Sequence, residues 1–361
     1  MNTDTNIFPA RIACRMSHRL LLAILLTLPL FALGIPVTAS AWEWVPSEEE
    51  IEEYRKSWNP MSNGPILLSG VDISPKGQFH AHPFIFAQVS ESRYGNQLSA
   101  NRQPATAHLY QIAPQVNFAY GWTDHVETEL SLKWLAFWER DTGKFNRGEG
   151  GPWTTSTGPA DMSIFIKYRP IVQDPNGWRP SVTTFNQIVL PAEKWFGTEK
   201  PSGGFAPLGR LPATRFGSIT WTEGIEFRKN LRPFRISGGM FYSYSLPGHE
   251  KGENKYPGDL VNTRLIIEHI LDDKNGFGYN LEFVGLHGLT FRADGHAVNA
   301  GEKSGLNTLG VQPTIQFKFS ETIVGAVGVL VPVAGQNTLG GIFPNFSIYF
   351  FGSTAGKPRM R

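Results

Sequence analysis

One cysteine, Cys14, occurs in 361 residues. It stands ahead of the first apolar run rather than after it, which excludes a lipoprotein anchor. If that run is removed on export, the mature chain has no thiol, and disulfides, cysteine-ligated zinc and cysteine nucleophiles are excluded together. Charge of one sign is lacking as well. The 33 basic and 31 acidic residues leave a net charge of +2, which gives no electrostatic case for nucleic acid as a partner. Beyond Ala41 no apolar stretch approaches the roughly 20 residues of a spanning helix, and a mean hydropathy of −0.21 is too low for a helical membrane protein. No Gly-rich phosphate loop or dinucleotide fingerprint joins a strand to a helix. No low-complexity linker or charge block divides residues 79–351.

What is present begins with an address. Arg11, Arg15 and Arg19 precede an apolar run from Leu20 to Gly34, and small residues end in Ala39-Ser40-Ala41. This reads as a secretory signal over 1–41, cleaved after Ala41, with Met16 an alternative start. The run is too short to span a bilayer and is interrupted by Pro29 and Pro36. Residues 42–78 are expected to form a periplasmic N-terminal segment. Within it, Ser47 to Lys56 predicts a short helix, with Ser47 as N-cap, acids in the first turn and bases in the last. Such a helix would plug a lumen, dock a periplasmic partner or fray in solution, the last being the simplest expectation.

The rest of the chain is rich in turn formers and rings, with Gly 38, Pro 26 and 12% aromatics, and it alternates with a period of two. Val126, Thr128, Leu130, Leu132 and Trp134 share one face, while His125, Glu127, Glu129, Ser131 and Lys133 share the other. Ile112, Pro114, Val116, Phe118 and Tyr120 oppose Gln111, Ala113, Gln115, Asn117 and Ala119 in the same way. Similar runs start at Phe234, Phe277 and Leu309, and helical period fits none of them. About twelve strands follow, over 79–89, 109–120, 125–138, 160–169, 179–190, 216–228, 234–246, 259–271, 277–288, 306–319, 322–332 and 342–351. The runs from Arg179 and Thr322 alternate poorly, which leaves ten to fourteen as the range.

Connection lengths separate a membrane barrel from a soluble sandwich. Tight polar turns (121–124, 174–177, 229–233, 272–276, 320–321) alternate with long Gly- and charge-rich connections (90–106, 139–157, 191–215, 247–258, 289–304, 334–341). Outer-membrane barrels place short turns in the periplasm and long loops outside. In hydrocarbon an unpaired backbone group costs several kcal/mol, so a sheet spans only by closing on itself. The fold class is therefore all-β, a transmembrane antiparallel up-and-down barrel of about 12 strands over 79–351, surrounded by outer-membrane lipid. Pro83, Pro114 and Pro313 inside strands predict bulges or shifted boundaries, and Glu223 falls on the lipid face. Aromatics near strand ends, including Tyr120, Trp122, Trp134, Trp138, Tyr349 and Phe351, read as interfacial girdles. Phe351 also suits the terminal aromatic read by the barrel-assembly machinery, leaving 352–361 as a tail with no assigned role.

The inward face carries the functional question. Its candidate lining is Glu127, Glu129, Lys133, Asp161, Lys167, Glu226, Arg228, Arg235, Arg264, Glu268, Glu282 and Lys318, of mixed sign, with Phe84, Phe86 and Phe165 offering apolar contact. Two readings stand side by side: a polar route for a small-molecule solute, and a salt-bridged interior that keeps these charges paired. His80 and His82 share a strand face but lack a carboxylate beside them, so they read as interior or rim histidines, and neither metal nor cofactor is expected.

Gly158-Pro159-Ala160-Asp161, leading through Ile164 and Ile166 into Lys167-Tyr168-Arg169 and then to a strand ending Leu190-Pro191, resembles the family named for the MetA pathway of phenol degradation. The family more usually has a second glycine where Ala160 stands. The resemblance implies an outer-membrane barrel passing small, often hydrophobic or aromatic, compounds. An enzyme reading fails on residues. A twelve-stranded outer-membrane phospholipase places His two residues before Ser in His-x-Ser-Asn-Gly, whereas Pro60 occupies that position before Ser62-Asn63-Gly64. The expectation is a pore or facilitator without enzymatic activity, with a closed barrel whose loops bind a partner as the alternative.

Overall fold

The computed structural model describes residues 45–68, 70–141, 153–190, 219–246, 248–250, 253–256, 258–289, 292–293, 296–297 and 305–354. The predicted leader 1–41, the predicted loop 191–215 and the tail beyond 354 lie outside them.

Strands β1 (Gln78–Tyr94), β2 (Arg102–Gly121), β3 (Val126–Asp141), β4 (Thr154–Pro159), β5 (Met162–Ile171), β6 (Ser181–Leu190), β7 (Thr220–Leu231) and β8 (Phe234–Ser245) form the first part of the wall. Two short strands follow, β9 (Gly248–Glu250) and β10 (Glu253–Tyr256). The wall resumes with β11 (Leu260–Asp272) and β12 (Phe277–Gly288), is interrupted by β13 (Arg292–Ala293) and β14 (His296–Ala297), and ends with β15 (Leu306–Ser320), β16 (Ile323–Gln336) and β17 (Leu339–Ser353). Each wall strand pairs antiparallel with its neighbour, and β17 returns to pair β1 from Gln78↔Ser353 to Arg93↔Leu339. With β4 and β5 acting as one interrupted strand, the result is a closed 12-strand barrel. The four short strands form a small separate sheet.

β4 and β5 are separated by the segment that carries the family resemblance. From Pro159 to Ser163 the chain takes four steps while its partners on β3, Trp134 to Ser131, take three. One extra residue on one side is a β-bulge. It is pinned by the Ala160 amide, which donates to the Lys133 carbonyl at 2.9 Å, and it sets Asp161 in electrostatic range of Lys133. The predicted bulges at the prolines are absent. Register is unchanged across Pro83, Pro114 and Pro313, and only individual pairings beside them lapse, where the missing N–H would have donated.

The barrel is inside out relative to a soluble protein. Its largest fully buried side chains include Arg235, Gln312, Gln316, Glu127, Glu226 and Glu282. On the outside, Ile85, Ile112, Leu132, Ile166, Ile225, Leu265, Leu281, Ile315, Val327 and Phe346 are between 36% and 52% exposed, an apolar band on every part of the wall. Glu223 does face outward, where the Trp221 indole donates to its carboxylate at 3.1 Å. The two runs that alternate poorly are strands nonetheless. Their inward rows are not uniformly polar: Phe185 stands among Ser181 and Thr183 on β6, and Val324 and Ala326 on β16 are buried inside the barrel.

Three expectations need correction. Tyr349 and Phe351 are not girdle residues; they point inward, where Tyr349 stacks on His82 with ring centroids 3.6 Å apart, and Phe350 takes the outward place. The last loop, expected over 334–341, is only residues 337–338, because β16 and β17 run past the 9 to 11 residues that a tilted span needs and meet in a turn with Asn337 at φ 53. The connection expected to be tight around 174–177 instead spans 172–180.

Candidate functional site

The lumen is occupied by the chain's own N-terminal segment. Helix α1 (Glu48–Lys56) forms as its sequence requires, with Ser47 and Glu50 closing a capping box, three glutamates in the first turn and Arg55 and Lys56 in the last. It does not fray. Ile51 and Tyr54 pack on Val172 of the 172–180 connection, and Arg179 pairs with Glu50 at 2.7 Å. The helix thus docks at the barrel end that carries the tight turns, termed here the turn end.

Residues 59–74 then run through the lumen and are held by inward side chains. Asn59, Pro60 and Ser62 all accept hydrogen bonds from Arg235. The Ser62 hydroxyl donates to Glu268 at 2.7 Å, and Glu268 also pairs with Arg235 at 3.3 Å. Gln316 accepts from the Gly64 amide at 2.9 Å. Glu282 takes two main-chain amides at once, Ile66 at 2.8 Å and Leu67 at 3.1 Å. Lys167 donates to the Gly70 carbonyl at 3.1 Å, and Thr183 donates to the Val71 carbonyl at 2.6 Å. The Ser74 amide donates to Glu127 at 2.6 Å, and Lys167 neutralises that carboxylate at 2.6 Å. Leu68 and Val71 insert among Phe165, Phe185, Phe241 and Ile266. An extended segment has no internal backbone partners, so its buried amides and carbonyls need acceptors and donors from the wall. The polar inward face supplies them.

Asp72 carries the densest electrostatics. Its carboxylate is 2% exposed and accepts from the Tyr54 hydroxyl at 2.7 Å and from Arg228 at 2.7 Å, with Arg169 at 3.5 Å. At the exit the chain crosses Gly121, where a Cβ would lie 2.1 Å from the Ser74 carbonyl, so the close approach requires glycine.

One turn clamps both ends of the segment. Asp124, in the turn between β2 and β3, accepts from Arg55 at 2.5 Å and from the Lys76 amide at 3.1 Å. Burial pushes its carboxyl up, but the Lys76 amide and the Arg55 guanidinium prevail and hold it below the ordinary carboxylate value. The same balance, with Arg179 opposing burial, lowers Glu50. Groups with depressed folded-state values stabilise above the unfolded carboxylate pKa of about 4 and lose that contribution as pH falls further. Helix α1 is therefore expected to undock below about pH 4 while the barrel persists, read as a change in Trp58 fluorescence. A constant signal down to pH 3 would contradict this.

The predicted lining thus divides. Glu127, Lys167, Arg235, Glu282 and Phe165 contact the luminal segment directly, and Glu129 lies in the electrostatic neighbourhood of Lys167. Glu226 is buried and faces the same lysine. Lys133 and Asp161 sit together at the bulge, away from the segment. Arg264 faces Glu282 but keeps Nε and one Nη without hydrogen-bond partners among the described residues. Lys318 pairs with Glu321 at the turn end at 2.7 Å. Phe84 and Phe86 meet edge to face at 5.6 Å on β1. His80 and His82 are interior histidines that bond Ser74 and Ser347. Sequence reasoning missed Asn59, Ser62, Asn63 and Asp72. Their signal was the stretch Pro65-Ile66-Leu67-Leu68 followed by Val71 and Ile73, too apolar for a solvated linker.

No family model matches the sequence, and no curated protein matches it at a significant level. Among solved structures, an outer-membrane channel from Pseudomonas putida F1 is similar with a TM-score of 0.58 at 12% identity, over 80% of this chain and 100% of that one. At that identity the likeness shows the fold alone, a closed antiparallel β-barrel. The translocator domain of the autotransporter NalP from Neisseria meningitidis gives a TM-score of 0.41 at 10% identity, over 78% of this chain and 90% of that one. The P. putida toluene transporter TodX gives 0.37 at 8%, over 78% of this chain and 91% of that one.

Proposed function

We propose that this chain is a non-enzymatic outer-membrane facilitator for small solutes, in which the N-terminal segment is a removable filling of the lumen. The carrying observation is how that segment is held. Many of its anchors are hydrogen bonds between its main chain and inward side chains, mostly amides of the segment donating to wall acceptors, and among the described residues none is a covalent link. Such contacts are individually modest in net free energy, so the same wall serves as a clasp when the segment is in place and as a polar lining when it is not. The apolar band would contact outer-membrane lipid, and the turn end would face the periplasm, with the docked helix on that side. On the other side of the segment, Lys133, Arg264, Phe84 and Phe86 would line the entrance for a solute that combines polar and apolar character. The family resemblance favours hydrophobic or aromatic compounds.

The occupied lumen also fits the second reading, a closed barrel whose outer loops bind a partner. Planar-bilayer recordings and liposome uptake with the purified full chain separate the two. Sparse, small openings with measurable uptake are expected of a facilitator. Silence in both assays, persisting after the clasp is weakened, would leave the closed barrel.

A further inference from the structure

Between the luminal segment and the wall at the turn end lies a cavity bordered by Asp72, Arg228, Arg235, Met61, Tyr349 and Phe351. We propose that it is a binding site for a small organic anion with a flat apolar body, a single-ring carboxylate being the type. This rests on the facilitator reading and names its solute class.

The charge balance comes first. The side chains of Arg169, Arg228 and Arg235 are 6%, 14% and 1% exposed, and among the described residues their ion pairs involve two carboxylates: Asp72 takes Arg169 and Arg228, and Glu268 takes Arg235. Three guanidiniums against two carboxylates leave one positive charge, which an incoming carboxylate would balance. Glu321, the other acid at the cavity, is engaged by Lys318. The hydrogen-bond inventory points the same way. Arg235 lines the cavity and is buried, yet its Nε–H has no acceptor among the described residues. A buried donor left without a partner is costly, and an anion would satisfy it.

The lining also has an apolar part. The Tyr349 and Phe351 rings lie parallel within 3°, with centroids 5.6 Å apart, and Met61 faces the same space. An inorganic anion would leave that surface unused. Size fits as well: the cavity has room for about four to six waters. That suits one ring with a carboxylate.

The test uses the full chain in detergent and calorimetric titration with benzoate, benzyl alcohol and acetate, so that charge and ring are each removed in turn. Benzoate is expected to bind at one site, with benzyl alcohol and acetate each at least tenfold weaker. Arg228→Gln is expected to weaken benzoate at least tenfold without altering the response to benzyl alcohol, while Arg232→Gln at the exposed turn changes neither. Retained heat-modifiable migration checks that each variant is folded, and the ligand series on the unaltered protein stands if Arg228→Gln fails to fold. Equal binding of benzyl alcohol and benzoate, or no binding by any of the three, would overturn the site. If bilayer openings and liposome uptake persist in that case, the facilitator reading survives and only the solute class falls.

Discussion

Replacing Glu282 with alanine is expected to convert an almost silent barrel into one that opens often. Its carboxylate is fully buried and takes the Ile66 and Leu67 amides together, with Gln312 donating to the same group at 3.3 Å. Hydrogen bonds to a charged partner contribute about 1.5 to 3 kcal/mol each. Losing the pair should weaken docking of the segment by roughly 3 kcal/mol, a shift of about a hundredfold in its equilibrium. Single-channel recordings should show open events more frequent by a comparable factor. They should also favour anions, because Arg264 loses the carboxylate it faces. Glu282→Gln keeps one acceptor and should fall between. Gln316→Ala removes a single neutral bond to the Gly64 amide and should cost only about 1 kcal/mol. An opening frequency unchanged in Glu282→Ala would mean that this clasp does not control the lumen.

Removing Asp72 should produce the largest loss of stability. The carboxylate joins Tyr54 on the helix to Arg228 and Arg169 on the wall, and it is 2% exposed. Breaking a buried ion pair by deleting one partner strands the other charge and typically costs about 3 to 5 kcal/mol. In Asp72→Ala two guanidiniums are left, so the helix and the segment behind it should detach together, and the denaturant midpoint of that step should fall accordingly. Asp72→Asn, which keeps an acceptor, should lose less. Arg232→Ala breaks only the exposed pair with Asp273 at 3.0 Å and should cost under about 1 kcal/mol. Equal effects for Asp72→Ala and Arg232→Ala would show that the buried network does not hold the segment.

The wall was legible in the sequence because an apolar outer band around a polar interior alternates with a period of two. Outward positions are mostly apolar and inward ones mostly polar, so β3 declares itself through Leu130, Leu132 and Trp134 against Glu127, Glu129 and Ser131. The same parity correctly turned Lys167, Arg235 and Glu282 inward. It did not reveal what these side chains bind. The partners of Glu127 and Glu282 are main-chain amides of residues 66, 67 and 74, and a main-chain amide has no residue-type signature. That same gap made fraying look reasonable for the helix: its Tyr54 and Ile51 are only two apolar residues in nine, and their burial depends on a distant connection. Tyr349 and Phe351 were misplaced because an aromatic near a strand end satisfies either face. Only the pairing of β17 with β1, which brings them against His80 and His82, decides it.

The filled lumen is open to direct test by amide hydrogen exchange on the full chain, followed by peptide. The amides of Gly64, Ile66, Leu67 and Ser74 should be protected to nearly the same degree as the central strand amides of β12 and β15, because each is buried against a wall carboxylate or carboxamide. Exchange of residues 59–74 at the rate of an unstructured peptide, with the strands still protected, would show an empty barrel and remove the basis for a clasped segment.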